Sequence, residues 1–497
     1  MNMEDIIAFA KSKGFFWPSA EIYGGYAGTY DYGHLGALMK QRFERLWLSY
    51  FVETNPDYYL IDGSNLMPEK PLISSGHAAR FNDILVGCSK CRTYYRADVV
   101  LAEMKIAVSE AASTSEIDET IKEKKVRCPK CKGAFLPSKA FNMMVDVRLG
   151  PEKTDKGYLR PETAQSAYLN FFREFNVLRK TLPIGLAVIG RAYRNEISPR
   201  QGLYRMRELI QAELQIFFNP DRFVVPFENI KNTEMSVVPY ETKKQTRVSA
   251  EKLVKDYGIP EFYAYHMGLI STFYTEALGV PDEKIRFLEK GGDEKAFYNK
   301  LHMDIELEVE SWGGFREVGG LHYRGDYDLG SHTKGSNQDL SVMVDGKKIM
   351  PHVLELSFGV DRNIWALLDL FYKIEGERRI LQLQPWIAAF SAAVLPLQKD
   401  KQICDCVEEI QNDLKSKFRI FVDEAGSIGR RYARMDEIGT PFCITVDYET
   451  VDKESKNYGT VTIRERDSKE QKRKKITELA EFIGLKTGKT NQHGAIG

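Results

Sequence analysis

The sequence has little cysteine for its length, no excess of either charge and no long hydrophobic run. Seven of its 497 residues are cysteine, and this small, odd number argues against a disulfide framework. Lysine plus arginine and aspartate plus glutamate each total 70, so a nucleic-acid partner would need local basic patches. No apolar run approaches the ~18 residues that a membrane helix needs. The polar, acidic start of the chain does not resemble a secretory signal, and a cytoplasmic location is predicted.

The length and hydrophobic content predict a folded protein of several domains. A chain of 497 residues is too long for one ordinary core, and about three domains are expected. Because 43% of the residues are hydrophobic and no tract is strongly biased, the whole chain should be globular.

The most informative stretch is residues 182–218, which read as a β-hairpin. Residues 184–189 have the pattern of a buried strand, and Pro199 with Gln201-Gly202 interrupts the run as hairpin loops do. A second run then alternates with period two. One face would carry Tyr204, Met206, Ile210, Ala212, Leu214 and Ile216, and the other Arg205, Arg207, Gln211, Glu213 and Gln215.

Two interpretations of the polar face of this hairpin remain open. Arg194 and Glu196 share a face on the first strand. Arginines fixed on a sheet suit a phosphate, because the guanidinium donates in bidentate fashion and stays charged. The alternative is an edge hairpin that carries solvated charge.

Four cysteines form two CxxC pairs, Cys88 with Cys91 and Cys128 with Cys131. Four thiolates close a tetrahedral zinc site, and a site without an open position is structural rather than catalytic. Redox or incidental cysteines are the alternative. Much of the intervening stretch, residues 103–125, reads as one amphipathic helix. The other three cysteines lie in apolar patterns typical of core thiols.

Two further segments could face the same cleft as the hairpin. Pro161 fits the first position of a helix and Glu162 its first turn, so helix capping is the simple interpretation and a cleft-facing carboxylate the functional one. In residues 350–371, Glu355 and Ser357 share a strand face and Arg362 follows in the first turn of a helix. An arginine there opposes the helix dipole, which indicates a compensating anion or ring, or else a solvated arginine on a core helix.

The C-terminal part of the chain begins a new unit near residue 375. Strand patterns over 390–397, 419–423 and 443–446 alternate with helix patterns, which predicts a βαβαβ unit with a mostly parallel sheet. Two basic clusters lie in this unit, one at Arg430, Arg431 and Arg434 and the other at 472–475. Such clusters are solvated helix faces or a nucleic-acid contact.

These motifs resemble those of class II aminoacyl-tRNA synthetases. Residues 191–209 (RAYRNEISPRQGLYRMREL) resemble motif 2, residues 352–368 (HVLELSFGVDRNIWALL) motif 3, and the helix pattern over 33–52 motif 1, the dimer motif. Other matches are similar to the single-chain glycyl-tRNA synthetase family, and together the matches cover about residues 12–485. They are YGGYAGTYDYGHLG (23–36), YRAD (95–98), RPETAQ (160–165), IGRRYARMDEIGTPF (428–442) and GTVTIRERDSKEQ (459–471).

The resemblance implies an α+β fold with two main domains and two insertions. The expected divisions are a catalytic domain (1–375) built on an antiparallel sheet flanked by helices, a zinc-ribbon-like insertion (86–140), an insertion between motifs 2 and 3 (220–302) and a C-terminal α/β anticodon-binding domain (385–497). It also implies a homodimer that uses ATP, Mg²⁺ and structural Zn²⁺ to attach glycine to tRNA(Gly), with release of AMP and pyrophosphate.

The resemblance also implies roles for individual residues. Arg194, Glu196 and Arg362 are the expected catalytic residues. The expected ATP site comprises Arg194, Asn195, Glu196, Tyr204, Arg205, Met206, Arg207, Glu208, Leu209, Glu317, Val318, Gly359, Val360, Asp361 and Arg362. The expected glycine site comprises Arg96, Glu162, Leu209, Ile210, Gln211, Ala212, Glu213, Glu355, Leu356, Ser357, Phe358 and Gly359. The tRNA contacts would be Arg430, Arg431 and Arg434, and the metal ligands Cys88, Cys91, Cys128 and Cys131.

The sequence departs from the family pattern at three places. Leu209 stands where the family usually has a phenylalanine that stacks on adenine. Leu356 replaces the proline of the motif 3 Glu-Pro-Ser, and His322 with Tyr323 replaces an alanine–aspartate pair. Two alternatives remain: a class II synthetase for threonine, proline or histidine, and a catalytically inactive synthetase-like binding protein. The RPETAQ motif and the Arg430-Arg431 pair argue against another class II synthetase. Retention of the three expected catalytic residues argues against an inactive binding protein.

Overall fold

The computed structural model of the chain describes residues 2–106, 108, 112–152, 154–197, 199, 201–291 and 299–488. The N-terminal segment comprises α1 (Met3–Lys13), β1 (Phe16–Pro18), β2 (Tyr30–Tyr32), α2 (His34–Phe51), β3 (Tyr58–Leu60), β4 (Leu66–Pro68), α3 (Glu69–Ser74) and α4 (His77–Arg80). A capping box between Asn2 and Asp5 starts α1. The helix predicted after Gly33 is confirmed as α2, and its apolar stripe, including Phe43 and Trp47, is buried.

The cysteine-bearing segment, residues 82–142, forms a small unit of its own. It comprises β5 (Asn82–Gly87), β6 (Tyr94–Arg96), α5 (Ala97–Glu103), α6 (Thr114–Glu123) and β7 (Lys139–Asn142). Its strands pair in the order β6-β5-β7. The amphipathic helix predicted within 103–125 is confirmed only over α6, which starts at Thr114 where Ser113 and Glu116 form a capping box. Residues 104–106 are not helical, and residues 107 and 109–111 lie outside the described part of the chain.

A nine-stranded sheet dominates the next part of the chain. The elements are β8 (Val145–Leu149), β9 (Asp155–Leu159), α7 (Ala164–Leu178), β10 (Ile184–Tyr193), β11 (Glu208–Phe218), β12 (Glu234–Val238), β13 (Thr246–Ser249), α8 (Ala250–Tyr257), α9 (Glu261–Thr272), β14 (Ile285–Glu289), β15 (Leu301–Val309), β16 (Gly314–Gly325), α10 (Tyr327–Ser336), β17 (Val342–Val344), β18 (Lys347–Ile349), β19 (His352–Gly359) and α11 (Val360–Phe371). The sheet order is β13-β12-β14-β15-β16-β19-β11-β10-β3. Only β3 with β10 and β12 with β14 pair in parallel, so the predicted antiparallel sheet flanked by helices is confirmed.

The structure corrects two local predictions around this sheet. The alternating strand expected from Tyr204 begins only at Glu208, and Gly202–Tyr204 form a 3₁₀ turn. Gly202 has φ +56°, and a Cβ there would meet the Trp365 ring at 2.2 Å, so glycine is required at this turn. The helix expected from Pro161 begins at Ala164, which leaves Glu162 on the extended segment before it.

The C-terminal unit has a mixed five-stranded sheet with helices packed against it. The elements are β20 (Tyr372–Glu375), β21 (Arg378–Leu381), β22 (Ala392–Pro396), α12 (Lys401–Leu414), β23 (Ile420–Val422), α13 (Ile428–Glu437), β24 (Phe442–Val446), α14 (Tyr448–Val451), β25 (Thr460–Glu465), β26 (Gln471–Lys475) and α15 (Leu479–Thr487). The order is β23-β22-β24-β25-β26. The first three strands are parallel as predicted, and the last two add antiparallel pairs. The basic run at 472–475 therefore lies on a strand. Among the described helices, none combines the length and the apolar character needed to cross a membrane.

We expect Gly36→Ala to destabilise the fold. A Cβ at Gly36 would lie 1.9 Å from the Phe15 carbonyl oxygen and 2.7 Å from the Tyr32 ring, so the buried start of α2 must shift. A loss of about 2 kcal/mol or more in the free energy of unfolding is expected from such overpacking. Gly429→Ala is the control, because a Cβ there meets nothing within 4 Å. Equal urea midpoints for Gly36→Ala and wild type would contradict the described packing.

Candidate active site

A cavity of about 200 Å³ lies against one face of the nine-stranded sheet. The register of β11, β19 and β16 places Gln215, Glu355 and His322 side by side. The next row of the same face holds Glu213, Ser357 and Gly320. Because side chains two residues apart share a face of a strand, residues far apart in the chain converge on one surface.

The structure brings most of the predicted site residues together around this cavity. Of the predicted ATP site, Arg194, Glu196, Tyr204, Arg205, Met206, Leu209, Glu317, Gly359, Asp361 and Arg362 line it. Of the predicted glycine site, Glu162, Leu209, Ile210, Gln211, Glu213, Glu355, Ser357 and Gly359 line it. The two predicted sites therefore form one continuous pocket.

The remaining predicted residues lie outside the lining of the cavity. They are Asn195, Arg207, Glu208, Val318 and Val360 of the ATP set, and Arg96, Ala212, Leu356 and Phe358 of the glycine set. Arg207 donates to the carbonyls of Glu196 and Ala27. Arg96 pairs with Asp83 at 2.9 Å and with Asp98 at 2.7 Å. Val318, Ala212, Leu356 and Phe358 are core residues on the strands that carry the site.

Three buried carboxylates gather at the inner end of the cavity. Glu213 accepts hydrogen bonds from Thr163 Oγ1 at 2.6 Å and Ser357 Oγ at 2.7 Å. Glu162 accepts from Gln165 Nε2 at 2.9 Å and lies 3.3 Å from His77 Nε2. These contacts orient the carboxylates and leave the inner pocket strongly acidic.

The third carboxylate, Glu355, has one heavily bonded oxygen and one that is more available. Its Oε2 accepts from Tyr168, Gln215 and Arg324 at 2.9–3.1 Å. Its Oε1 has Arg324 Nη1 at 3.3 Å and His322 Nε2 at 3.7 Å. Oε1 is therefore the oxygen that can still take a strong donor such as an ammonium group.

The pKa values of the three carboxylates shift in different directions although all three groups are buried. Burial, and then the charges of Glu355 and Glu162, raise the pKa of Glu213 to about 8. Burial also raises the pKa of Glu355 above its ordinary value, against the opposing effect of Arg324. Burial would raise the pKa of Glu162 as well, but His77 and Arg324 hold it well below its ordinary value. A ligand cation would stabilise the charged form of all three.

Arginines dominate the outer end of the cavity. The Arg194 guanidinium lies 5.4 Å from the centre of the Phe81 ring, and its Nε donates to the Pro161 carbonyl at 3.1 Å. Arg362 lies over the Tyr204 ring at 4.7 Å and pairs with Glu317 at 3.0 Å. The compensating ring and anion predicted for Arg362 are thus both present.

Sequence reasoning missed several residues of the site. Leu203, Gly319, His322 and Arg324 line the cavity without having been assigned to it. Arg324 is almost fully buried and bonds to Asp328 at 2.8 Å and to Glu355. The four-residue spacing of Arg324 and Asp328 was a local signal of a pair, but nothing local pointed to Glu355.

The four predicted metal ligands converge at one point of the cysteine-bearing segment. The sulfur atoms of Cys88, Cys91, Cys128 and Cys131 all lie within 4.8 Å of one another. Cys88 and Cys131 are 3.4 Å apart, and Cys91 and Cys128 3.7 Å. Hydrogen bonding to Thr93 lowers the pKa of the Cys91 thiol to about 6. The two CxxC pairs, called the two knuckles below, therefore present four sulfur ligands to one position.

The three predicted tRNA-contacting arginines on α13 differ in exposure. Arg430 is exposed, and Arg434 is partly buried against Asp423, 2.5 Å away. Arg431 is buried and donates to the carbonyls of Pro396 and Leu397. In this conformation only Arg430 and the exposed part of Arg434 present charge to solvent.

Two family models match the chain. Residues 148–371 match the tRNA synthetase class II core domain (G, H, P, S and T), and residues 391–485 match the anticodon binding domain. A solved prolyl-tRNA synthetase from Cryptosporidium parvum, in complex with L-proline and AMP, aligns with a TM-score of 0.58 over 97% of this chain and 75% of that chain, at 12% identity. This likeness shows the fold alone. The sheet, the two matched domains and the arginine–carboxylate pocket define a class II aminoacyl-tRNA synthetase.

Curated relatives narrow the class to one family. The chain is 35% identical to the glycine–tRNA ligase of Thermococcus sibiricus, with 95% of this chain and 96% of the relative covered. It is 36% identical to the enzyme of the same name from Pyrococcus furiosus, with 94% of this chain and 96% of the relative covered. It is 34% identical to the one from Aeropyrum pernix, with 97% of this chain and 96% of the relative covered. The chain belongs to the glycine–tRNA ligase family.

We expect Glu213→Gln to reduce the pH dependence of stability. A carboxyl group with an ordinary pKa of 4.5 and a folded pKa of about 8 takes up a proton on folding between these values. The wild-type free energy of unfolding should therefore fall as the pH rises from about 5 to 8, and that of the variant should fall less. Urea unfolding across this range measures both slopes, with the exposed Glu228→Gln as control. Parallel curves for wild type and Glu213→Gln would contradict the raised pKa.

Proposed function

We propose that the protein attaches glycine to tRNA(Gly) in two steps that consume ATP. A carboxylate oxygen of glycine attacks the α-phosphorus of ATP, and the bond to pyrophosphate breaks to give glycyl-adenylate. A hydroxyl of the terminal ribose of the tRNA then attacks the glycyl carbonyl, and AMP leaves. The observation that carries this proposal is the single pocket in which buried carboxylates adjoin arginines.

The inner end of the pocket suits the ammonium group of glycine. Glu162, Glu213 and Glu355 surround the space, and Ser357 holds Glu213 in place. An ammonium bound there pairs with Glu355 Oε1 and favours the charged form of Glu213. The proposed glycine site keeps all the residues expected from the sequence. Arg96 does not line the cavity and would act on the site indirectly, through its pairs with Asp83 and Asp98.

Two glycines on β16, Gly319 and Gly320, lie against their neighbours at the inner end of the pocket. The His322 ring covers Gly320 so closely that a Cβ on that residue would lie 2.4 Å from Nε2. A Cβ on Gly319 would lie 2.5 Å from the Ser357 carbonyl oxygen. Because glycine offers no side chain to recognise, discrimination against alanine and serine would have to come from lack of space around the bound amino acid.

The outer end of the pocket suits ATP. Arg194 holds the α-phosphate and the glycine carboxylate, and Arg362 contacts the nucleotide with Tyr204 and Glu317 beside it. Phosphoryl displacement needs positioning and charge neutralisation more than covalent chemistry. Mg²⁺, when bound, would supply charge neutralisation of the phosphates, and Glu317 of the proposed ATP set lines the outer end of the pocket as a carboxylate that could hold it. The other members of that set lie on the connection between β10 and β11, on β11, β16 and β19, and at the start of α11.

The four cysteines fit a structural zinc ion. Tetrahedral Zn²⁺ with bonds of about 2.3 Å to sulfur places its ligands roughly 3.8 Å apart. The observed separations of 3.4 and 3.7 Å for two of the pairs are close to this value. When bound, zinc supplies cross-linking of the two knuckles and no catalytic chemistry, because four sulfur ligands leave no open position.

The remaining proposals concern the wider molecule. The proposed division is into residues 1–375, 86–140, 220–302 and 385–497. Separate cores support the second and fourth of these ranges, whereas residues 220–302 extend the nine-stranded sheet and share its core. Arg430 and Arg434 contact tRNA, whereas Arg431 supports their helix. The motif 1 helix α2 forms a homodimer contact, and the protein acts in the cytoplasm.

The pyrophosphate exchange reaction tests the proposed function. We expect glycine alone among the amino acids to drive exchange of label between pyrophosphate and ATP. Arg194→Lys should lower the glycine-dependent rate at least about tenfold, because lysine cannot donate in bidentate fashion. The exposed Arg222→Lys is the control. Exchange driven by threonine, proline or histidine, or by no amino acid, would replace the proposal with one of the alternatives.

Metal analysis tests the zinc site. After dialysis, the purified protein should retain one zinc ion per chain, and Cys128→Ser should lower both the metal content and the melting temperature. Cys404→Ser, outside the cluster, should change neither. Well under one equivalent of zinc in the wild type would reject the site.

A further inference from the structure

We propose that the cysteine-bearing segment is coupled to substrate binding through its two flanking residues, Phe81 and Met143, which position Arg194 and Asn195. Closure of the segment around its metal ion would then set the position of the Arg194 guanidinium. This inference rests on the proposed role of Arg194 in binding ATP and glycine. Phe81 and Met143 are positioning residues, since neither lines the cavity.

A backbone ladder joins the base of the segment to motif 2. The Met143 N–H donates to the Phe81 carbonyl at 3.0 Å, and the Met143 carbonyl accepts from Asn195 N–H at 2.6 Å. On its other side, Arg194 N–H donates to the Arg207 carbonyl at 2.8 Å. Both polar groups of the Met143 backbone are thus used to connect the segment to the residues next to Arg194.

The Phe81 ring holds the guanidinium of Arg194 directly. The ring centre lies 5.4 Å from Arg194 Cζ, within cation–π range. Arg194 otherwise donates through Nε to the Pro161 carbonyl, and among the described residues it has no carboxylate partner. The ring and one carbonyl therefore fix the side chain while both Nη atoms stay available for an anionic ligand.

The Phe81 ring is also linked to the glycine end of the pocket through His77. It packs against His77 with the ring centres 5.7 Å apart, and His77 Nε2 lies 3.3 Å from Glu162. One aromatic side chain thus contacts the arginine proposed for the phosphate and the histidine that holds a carboxylate proposed for the ammonium. Movement of Phe81 would disturb both ends.

The strands of the segment connect this contact to the cysteines. β5 begins at Asn82, pairs with Asn142 at the end of β7, and runs directly to Cys88, which bridges to Phe135 after the second knuckle. The Arg96–Asp83 pair at 2.9 Å joins β6 to β5 within the same sheet. Spreading of the two knuckles would therefore be transmitted along β5 and β7 to Phe81 and Met143.

Substitution of Phe81 tests the contact with Arg194. We expect Phe81→Leu to raise the KM for ATP or glycine in pyrophosphate exchange about tenfold, the size of a partly desolvated cation–π contact. Phe81→Tyr keeps the ring and should restore values near wild type. Phe482→Leu, which truncates a partly buried phenylalanine of the C-terminal unit, shows what a similar loss of packing does by itself.

Direct ATP binding tests the coupling to the metal. Isothermal titration calorimetry with ATP should show a several-fold weaker Kd for Cys128→Ser, which lacks metal, and for Phe81→Leu. In the double variant the two losses should not multiply, because both act through the position of Phe81.

Three outcomes would overturn the coupling. They are wild-type kinetics for Phe81→Leu, an unchanged Kd for metal-free Cys128→Ser, and full multiplication of the two effects in the double variant. If Cys128→Ser does not fold, titration of the wild type with ATP before and after removal of its metal by a chelator replaces it, and an unchanged Kd would overturn the coupling. Failure of the proposed function is a separate result, since a wild type without glycine-dependent exchange can still be titrated with ATP.

Discussion

One buried guanidinium opposes the neutralisation of the carboxylates at the inner end of the pocket. Arg324 is 2% exposed and contacts Asp328 and Glu355 in the interior of the sheet. A carboxylate at the position of Glu355 without such a partner would be neutralised by a proton, because an isolated buried charge is very costly. Glu213, which has no cationic partner of this kind, shows the tendency in its raised pKa. Arg324 thus keeps part of the pocket negative before any ligand arrives, while Glu213 can respond to one.

The nine-stranded sheet makes this arrangement rigid. Glu213, Ser357 and Gly320 belong to three different strands, and each occupies a fixed place in a hydrogen-bonded row. Positions on a sheet shift little relative to one another, which is what precise placement of a small substrate needs. Arg194, by contrast, lies just beyond the end of β10 and depends on the neighbouring segment for its position.

Period-two patterns and motif spacing predicted much of this site, because both are local properties of the chain. They placed Glu355 and Ser357 on one face and the four cysteines in one cluster. The start of α7 was misjudged because Pro161 and Glu162 satisfy local helix-start preferences. The structure anchors the preceding residue instead: Arg160 is buried and donates to the carbonyls of Gly63 and Arg191, far away in the chain. Contacts between residues far apart in the chain produce no periodic pattern in the sequence. The role of Arg324 was missed for the same reason.

The pair between Arg362 and Glu317 has a consequence for ionic strength. Arg362 is paired with Glu317 at 3.0 Å, so a phosphate bound at Arg362, as proposed, would share the guanidinium with this carboxylate. Added salt screens both the internal pair and the contact with the ligand. The two effects partly cancel, and nucleotide binding should depend on salt less steeply than the number of arginines in the pocket suggests. Glu317 therefore competes with any anion that approaches Arg362, and this competition weakens nonspecific anion binding at the site.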